Sequence, residues 1–256
     1  MYNCRKGGLH ISKVFRNYVL SLALRLVLLT AALCLYFTNS GLLGFSAMPR
    51  WDIGGGFLFA VWVVLAVGMV FRIVPNFRVT IGARKHYACS YSAAAMGKNG
   101  LFDDSGARKR LHKGALVSAV AWVVFNAALF TIQHLHGRLT QAAAVVLMLF
   151  YAVCDIVCIL FFCPFRVFIM RNRCCAVCRI HNWDYIMICT PLILFPSVFS
   201  FSLLALSIAV LLRWEIALRK NPHFFIEETN ENLRCERCDE RLCMVRGGRA
   251  VGGNDK

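Results

Sequence analysis

Long apolar runs, separated by short polar or basic connections, set the period of this chain. Four read as spans: Tyr18 to Phe37, Phe57 to Val74, Gly114 to Gln133 and Gln141 to Cys163. Each is close to the roughly 20 residues that carry an α-helix across about 30 Å of hydrocarbon. The first is too long in its apolar core for a secretory signal, and Leu-Thr-Ala-Ala-Leu-Cys34 places Leu where a lipoprotein signal wants a small residue. It is expected to be a retained span.

A fifth apolar stretch, 185–212, is too long for one crossing and too short for two full ones. Pro191, Pro196 and Ser197 interrupt its middle, where proline removes a helical donor. Two readings stand. One is a single tilted, kinked helix; the other is a hairpin of two shortened arms turning near Pro196 and Ser197. Arg213, Arg219 and Lys220 beyond the stretch favour the hairpin. So do its matching flanks, Asn182-Trp183-Asp184 and Arg213-Trp214-Glu215, which a hairpin sets at one interface. Non-helical backbone at the turn would have to be buried among the other helices.

The expected fold is therefore an all-α polytopic bundle. A cytoplasmic arm spans 1–17, and four spans occupy 18–163 around a cytoplasmic loop at 75–113. A cysteine-rich juxtamembrane segment follows at 164–184, then the Pro-broken hairpin at 185–212 and a small cytoplasmic tail at 213–256.

Composition agrees with this class: 59% of the 256 residues are hydrophobic and only 16% charged, too oily for an ordinary soluble domain. The net charge of +16 would suggest nucleic acid in a soluble protein, but its placement argues against that partner. Residues 1–212 hold 20 Lys/Arg against 5 Asp/Glu, whereas the tail is nearly balanced at 9 against 8. The excess gathers in alternate connections: the N-terminal arm, the loop 75–113 and the segment after the fourth span. The opposite connections offer only Arg50 and Arg138. This positive-inside pattern predicts a multi-pass protein of the cell membrane with a cytoplasmic N-terminus, its basic loops facing anionic lipid.

Thirteen cysteines add candidate chemistry. Cys34, Cys154, Cys158, Cys163 and Cys189 fall in apolar runs and read as small buried hydrophobes. The polar modules are Cys174-Cys175-Ala-Val-Cys178 and Cys235-Glu-Arg-Cys238, with Cys243 behind. If the hairpin returns the tail to the cytoplasm, Cys175, Cys178, Cys235 and Cys238 could surround one tetrahedral zinc, because each C-x-x-C turn supplies two thiolates. Cys174 and Cys243 are spare or substitute ligands. Arg173, Arg179, Arg234 and Arg237 flank the thiols and would favour their ionised form. Iron or an iron–sulfur cluster is the alternative occupant, and exchanging thiols that pass electrons to a quinone are a third reading.

Arg25 and Asp155 stand inside spans, about 10 and 12 Å from the cytoplasmic ends. Similar depth predicts an intramembrane ion pair, and intramembrane charge also raises proton or solute movement. His134 and His136 in a short outer turn read as interfacial polar residues. No phosphate-binding loop, hydrolytic triad or long-range repeat is present in the sequence.

The blocks at 174–184, Thr190-Pro-Leu-Ile193, Arg213-Trp-Glu215 and 227–238 resemble an uncharacterised group of bacterial multi-span membrane proteins. The resemblance covers about 164–243. It implies that the cysteine modules and the Trp-flanked stretch form one unit, and it implies no activity. The functional expectation is an integral membrane protein with a structural or interaction role for the metal site. A thiol or iron–sulfur redox protein is one alternative, and an ion or small-solute transporter is another.

Overall fold

The computed structural model describes residues 13–45, 52–74, 81–86, 105–170 and 178–225, with Asn230 and Leu233. Among them the regular elements are helical: α1 (Lys13–Asn39), α2 (Ile53–Ile73), α3 (Ile81–His86), α4 (Ser105–Leu135), α5 (Gln141–Leu160), α6 (Asp184–Ile188) and α7 (Val198–Lys220). Five of these, α1, α2, α4, α5 and α7, are long and apolar enough to cross a membrane. Their outer faces match that solvent. Val120, Val123 and Val124 of α4 are 55%, 64% and 61% exposed, a run of bare aliphatic surface that water would penalise and lipid would not.

Sequence chemistry sets the helix starts. Asp52 caps α2 by accepting from the Gly55 N–H at 2.6 Å. Thr140 caps α5 through the Ala143 N–H at 3.2 Å, and Ser197 caps α7 through the Ser200 N–H at 3.0 Å. Each short side chain satisfies a backbone donor that has no partner within the helix. Several helices also extend past their apolar runs, as α1 does by five residues before Tyr18.

The core follows from helical spacing. Leu58, Val61, Leu65 and Met69 line one face of α2, and Leu203, Ser207, Val210, Trp214 and Ala217 line one face of α7. These two faces pack together, and α1 packs along α5. Gly54 is fixed by close approach: a Cβ there would sit 2.2 Å from the backbone oxygen of Leu42.

The Pro-containing stretch divides into unequal parts. Helix α6 lasts five residues and gives way to a 3₁₀ turn, Thr190–Leu194, before Ser197 starts the long α7. Pro191 enters the 3₁₀ turn at its first positions, where its missing N–H costs nothing. Only the second part is a full helix: the stretch is not one continuous helix but two parts that meet near Pro196 and Ser197, the first of them short and partly 3₁₀. Its ends meet. The Glu215 carboxylate accepts from Arg179 Nε at 2.9 Å, Arg179 Nη2 at 2.5 Å and Trp183 Nε1 at 2.9 Å. Such a forked arginine–carboxylate bond fixes orientation as well as distance. At the opposite end of the bundle, Phe45 stacks on Phe199, with ring centroids 5.2 Å apart, and meets Phe195 edge-on.

Gly54→Ala should destabilise the bundle by about 1–3 kcal/mol, because the new methyl meets rigid backbone. A lowered unfolding midpoint in detergent, read by circular dichroism, would show it.

Candidate functional site: a chamber between two buried ion pairs

Arg25 shares the buried face of α1 with Tyr18 and Leu28. Its guanidinium donates to the Asp155 carboxylate at 3.1 Å and to the Ala152 carbonyl at 2.5 Å. The structure thus brings together Arg25 and Asp155, which the sequence places at similar depth. A second pair lies beside it. Arg72, in the last turn of α2, donates to Asp184 at 2.6 Å and to the His181 carbonyl. Arg25 and Arg72 are only 6% and 3% exposed, so each charge depends on its partner rather than on water.

The second pair is built where a 3₁₀ turn meets the start of α6. The turn Arg179–Asn182 presents the His181 carbonyl, and the Asp184 carboxylate also accepts from the Tyr185 N–H at 2.8 Å. Trp214 of α7 donates its indole N–H to the Arg72 carbonyl at 3.2 Å. The short segment, α2 and α7 are therefore joined at one level of the bundle.

Both pairs line one chamber of about 170 Å³, together with Tyr18, Ser21, Gly68 and Tyr185. Gly68 is required for the last of these, since a Cβ there would fall 2.4 Å from the Tyr185 hydroxyl. Each guanidinium keeps a buried Nε–H with no hydrogen-bond partner among the described residues. A buried donor left unmade costs about 1–3 kcal/mol, more when charged. The chamber is thus neutral in formal charge, with two Arg against two Asp, and both arginine Nε–H groups lack an acceptor among the described residues.

Asp155, Ile159 and Asp184 also form part of a second cavity of about 380 Å³ on the α4 side of α5. Its wall carries Cys154, Cys158, Cys163 and Cys178. The expectation that all apolar-run cysteines are simply buried therefore needs revision. Cys189 is buried and hydrogen-bonds Ser207, Cys34 is exposed, and Cys154, Cys158 and Cys163 are partly exposed along this groove.

Of the cysteine modules, Cys178 is described and buried. Cys174, Cys175, Cys235, Cys238 and Cys243 lie outside the described residues. Among the described residues no group of three or more Cys, His, Asp or Glu side chains is arranged to hold a metal. His134 and His136 are exposed at and just beyond the end of α4.

Arg72 and Asp184 were not readable as a pair from the sequence, since 112 residues separate them. One signal was present: Arg72 sits within the second apolar run, and Asp184 borders the fifth. A thermodynamic cycle tests their dependence. Arg72→Met alone should cost about 3–5 kcal/mol because it strands a buried carboxylate, and adding Asp184→Leu should recover most of that loss. Unfolding midpoints of the three variants in one detergent provide the check. The chain matches no protein family model, no curated protein and no solved structure.

Proposed function

We propose that this protein is a multi-pass carrier of the bacterial cytoplasmic membrane that binds a small acid between the Arg25–Asp155 and Arg72–Asp184 pairs. The observation that carries the reading is that two Arg–Asp pairs line one chamber, with both guanidinium Nε–H groups buried and lacking an acceptor among the described residues. Arginine donors of this kind suit a carboxylate or oxyanion. The chamber, about 170 Å³, is less than half the volume of the neighbouring 380 Å³ cavity, which favours a small solute: a formate- or acetate-sized acid, or an inorganic oxyanion.

Electroneutrality gives the mechanism. The two ion pairs already balance the chamber, so an added anion would be an uncompensated charge beside buried groups. Protonation of one carboxylate offsets it and frees its arginine for the incoming anion. The solute then enters with a proton, as a neutral sum. Asp184 faces Arg72, Tyr185, Arg25 and Asp155, and Tyr18 also lines the chamber. Of these groups, the two carboxylates carry the negative charge and can accept the proton.

The backbone supports the same reading. Broken helices in membranes are tolerated where they line a cavity, and discontinuous helices build the central sites of many transporters. Here α6 and its 3₁₀ continuation contribute Asp184 and Tyr185 to the chamber. In this arrangement the segment 184–197 passes back through the bundle, α7 returns, and both chain ends are cytoplasmic.

A second reading, a structural zinc clasp, is favoured by the bond from Arg179 to Glu215. It holds the residue after Cys178 against the last turns of α7, so the tail starts beside the first cysteine module. Cys175, Cys178, Cys235 and Cys238 would then share one zinc. Chelator treatment of the purified protein should release about one zinc per chain and lower its unfolding midpoint.

For the carrier, formate, acetate and phosphate should be added to the purified protein between pH 5 and 8. At least one should raise the unfolding midpoint, more strongly at the acidic end, by ligand linkage. Arg72→Gln should remove the response. An equal response in the variant, or none in the wild type, contradicts the proposal.

A further inference from the structure

The groove on the α4 side of α5 carries chemistry that the acid chamber does not use. Cys154 and Cys158 are one helical turn apart on α5 and both face it. Helix α5 ends at Leu160, and the chain then turns so that Cys163 comes back beside Cys158 on the wall of the same groove. Neither is in a disulfide. The backbone N–H groups of Phe165 and Arg166 and the Arg166 charge lie near the Cys163 sulfur. Such donors stabilise negative charge on sulfur, the form that attacks.

The rest of the groove describes the ligand. Trp122, Phe125, Phe150, Tyr151 and Phe165 line it, and Trp122 meets Tyr151 and Phe165 edge-on at 4.8 and 6.2 Å. A saturated acyl chain needs apolar walls but neither aromatic faces nor thiols. A flat conjugated ring uses both, since aromatic side chains stack on it and thiols exchange electrons with it. The cavity of about 380 Å³ falls in the range of small-molecule sites. Phe125 and Phe150 lie at its bare rim, 53% and 49% exposed on membrane-facing helices, which opens it to a ligand arriving from lipid.

We propose that Cys158 and Cys163 form a redox dithiol that reduces a lipid-soluble quinone bound in this aromatic groove. The two S–H bonds break and one S–S bond forms. Two electrons and two protons pass to the quinone, whose carbonyl oxygens become the two hydroxyls of the quinol. The disulfide is reset by exchange with a soluble dithiol, which leaves as its own disulfide. The site is independent of the acid chamber, although Asp155 borders both.

The test uses the full chain, purified and reduced under anaerobic conditions, then mixed with a short-tailed benzoquinone. Full ring substitution prevents thiol addition to the ring. The expected result is quinol formation with loss of about two free thiols per chain and a mass decrease of about 2 Da. Cys158→Ser and Cys163→Ser should each abolish this while keeping the wild-type circular dichroism. Peptide mapping of the oxidised wild-type protein should place the new disulfide between Cys158 and Cys163, which separates the groove from the polar modules; a disulfide within those modules instead overturns the proposal. No quinol from the wild type, or undiminished quinol from a folded Cys158→Ser protein, overturns the proposal.

Discussion

A guanidinium cannot sit bare in a helical bundle surrounded by hydrocarbon. Removing one partner of a buried charge pair typically costs about 3–5 kcal/mol, a large part of a domain's net stability. Two such charges, Arg25 and Arg72, decide how the bundle is assembled. The first ties α1 to α5 through Asp155, and the second ties α2 to the start of α6 through Asp184. Hydrophobic packing holds the long helices side by side, but it is non-directional. The ion pairs supply a reason for one rotation and one depth of each helix. They also fix a five-residue helix and a 3₁₀ turn that could not stand alone.

The same interactions create the cavities. Each aspartate satisfies part of its arginine and leaves an Nε–H unmet. Gly68 keeps space for the Tyr185 hydroxyl, so polar groups from α1, α2, α5 and α6 face one small volume. Asp155 and Asp184 then separate this chamber from the thiol-lined groove. A charge layer thus lies between a polar pocket suited to a small acid and an apolar pocket suited to a flat ring.

Much of the helix layout was legible from the sequence because each apolar run carries its own length. The four early runs correspond to α1, α2, α4 and α5, with boundaries displaced where polar turns continue a helix or a cap begins it early. The similar depth of Arg25 and Asp155 was also legible, because helical rise converts sequence position into height. The partner of Arg72 was not. Arginine near the end of a span resembles a side chain reaching for the interface, and only the tertiary path of 178–188 brings Asp184 to it. The division of 185–212 was half legible. The prolines and Ser197 marked the break, but nothing in them showed that the first part would be a short helix and a 3₁₀ turn packed on α5 and α7. Cys154 and Cys158 carried a readable helical spacing, whereas Cys163 joins them only because α5 stops at Leu160.

The central claim is that the balanced chamber accepts an acid only together with a proton. The most direct measurement is the pH change on adding the acid, adjusted beforehand to the same pH, to the purified protein in weakly buffered detergent. Proton binding is read with an indicator dye, with Arg72→Gln as control. The account predicts uptake of about one proton per chain on saturation, absent in the variant. Saturable binding of the acid with no proton uptake would contradict it.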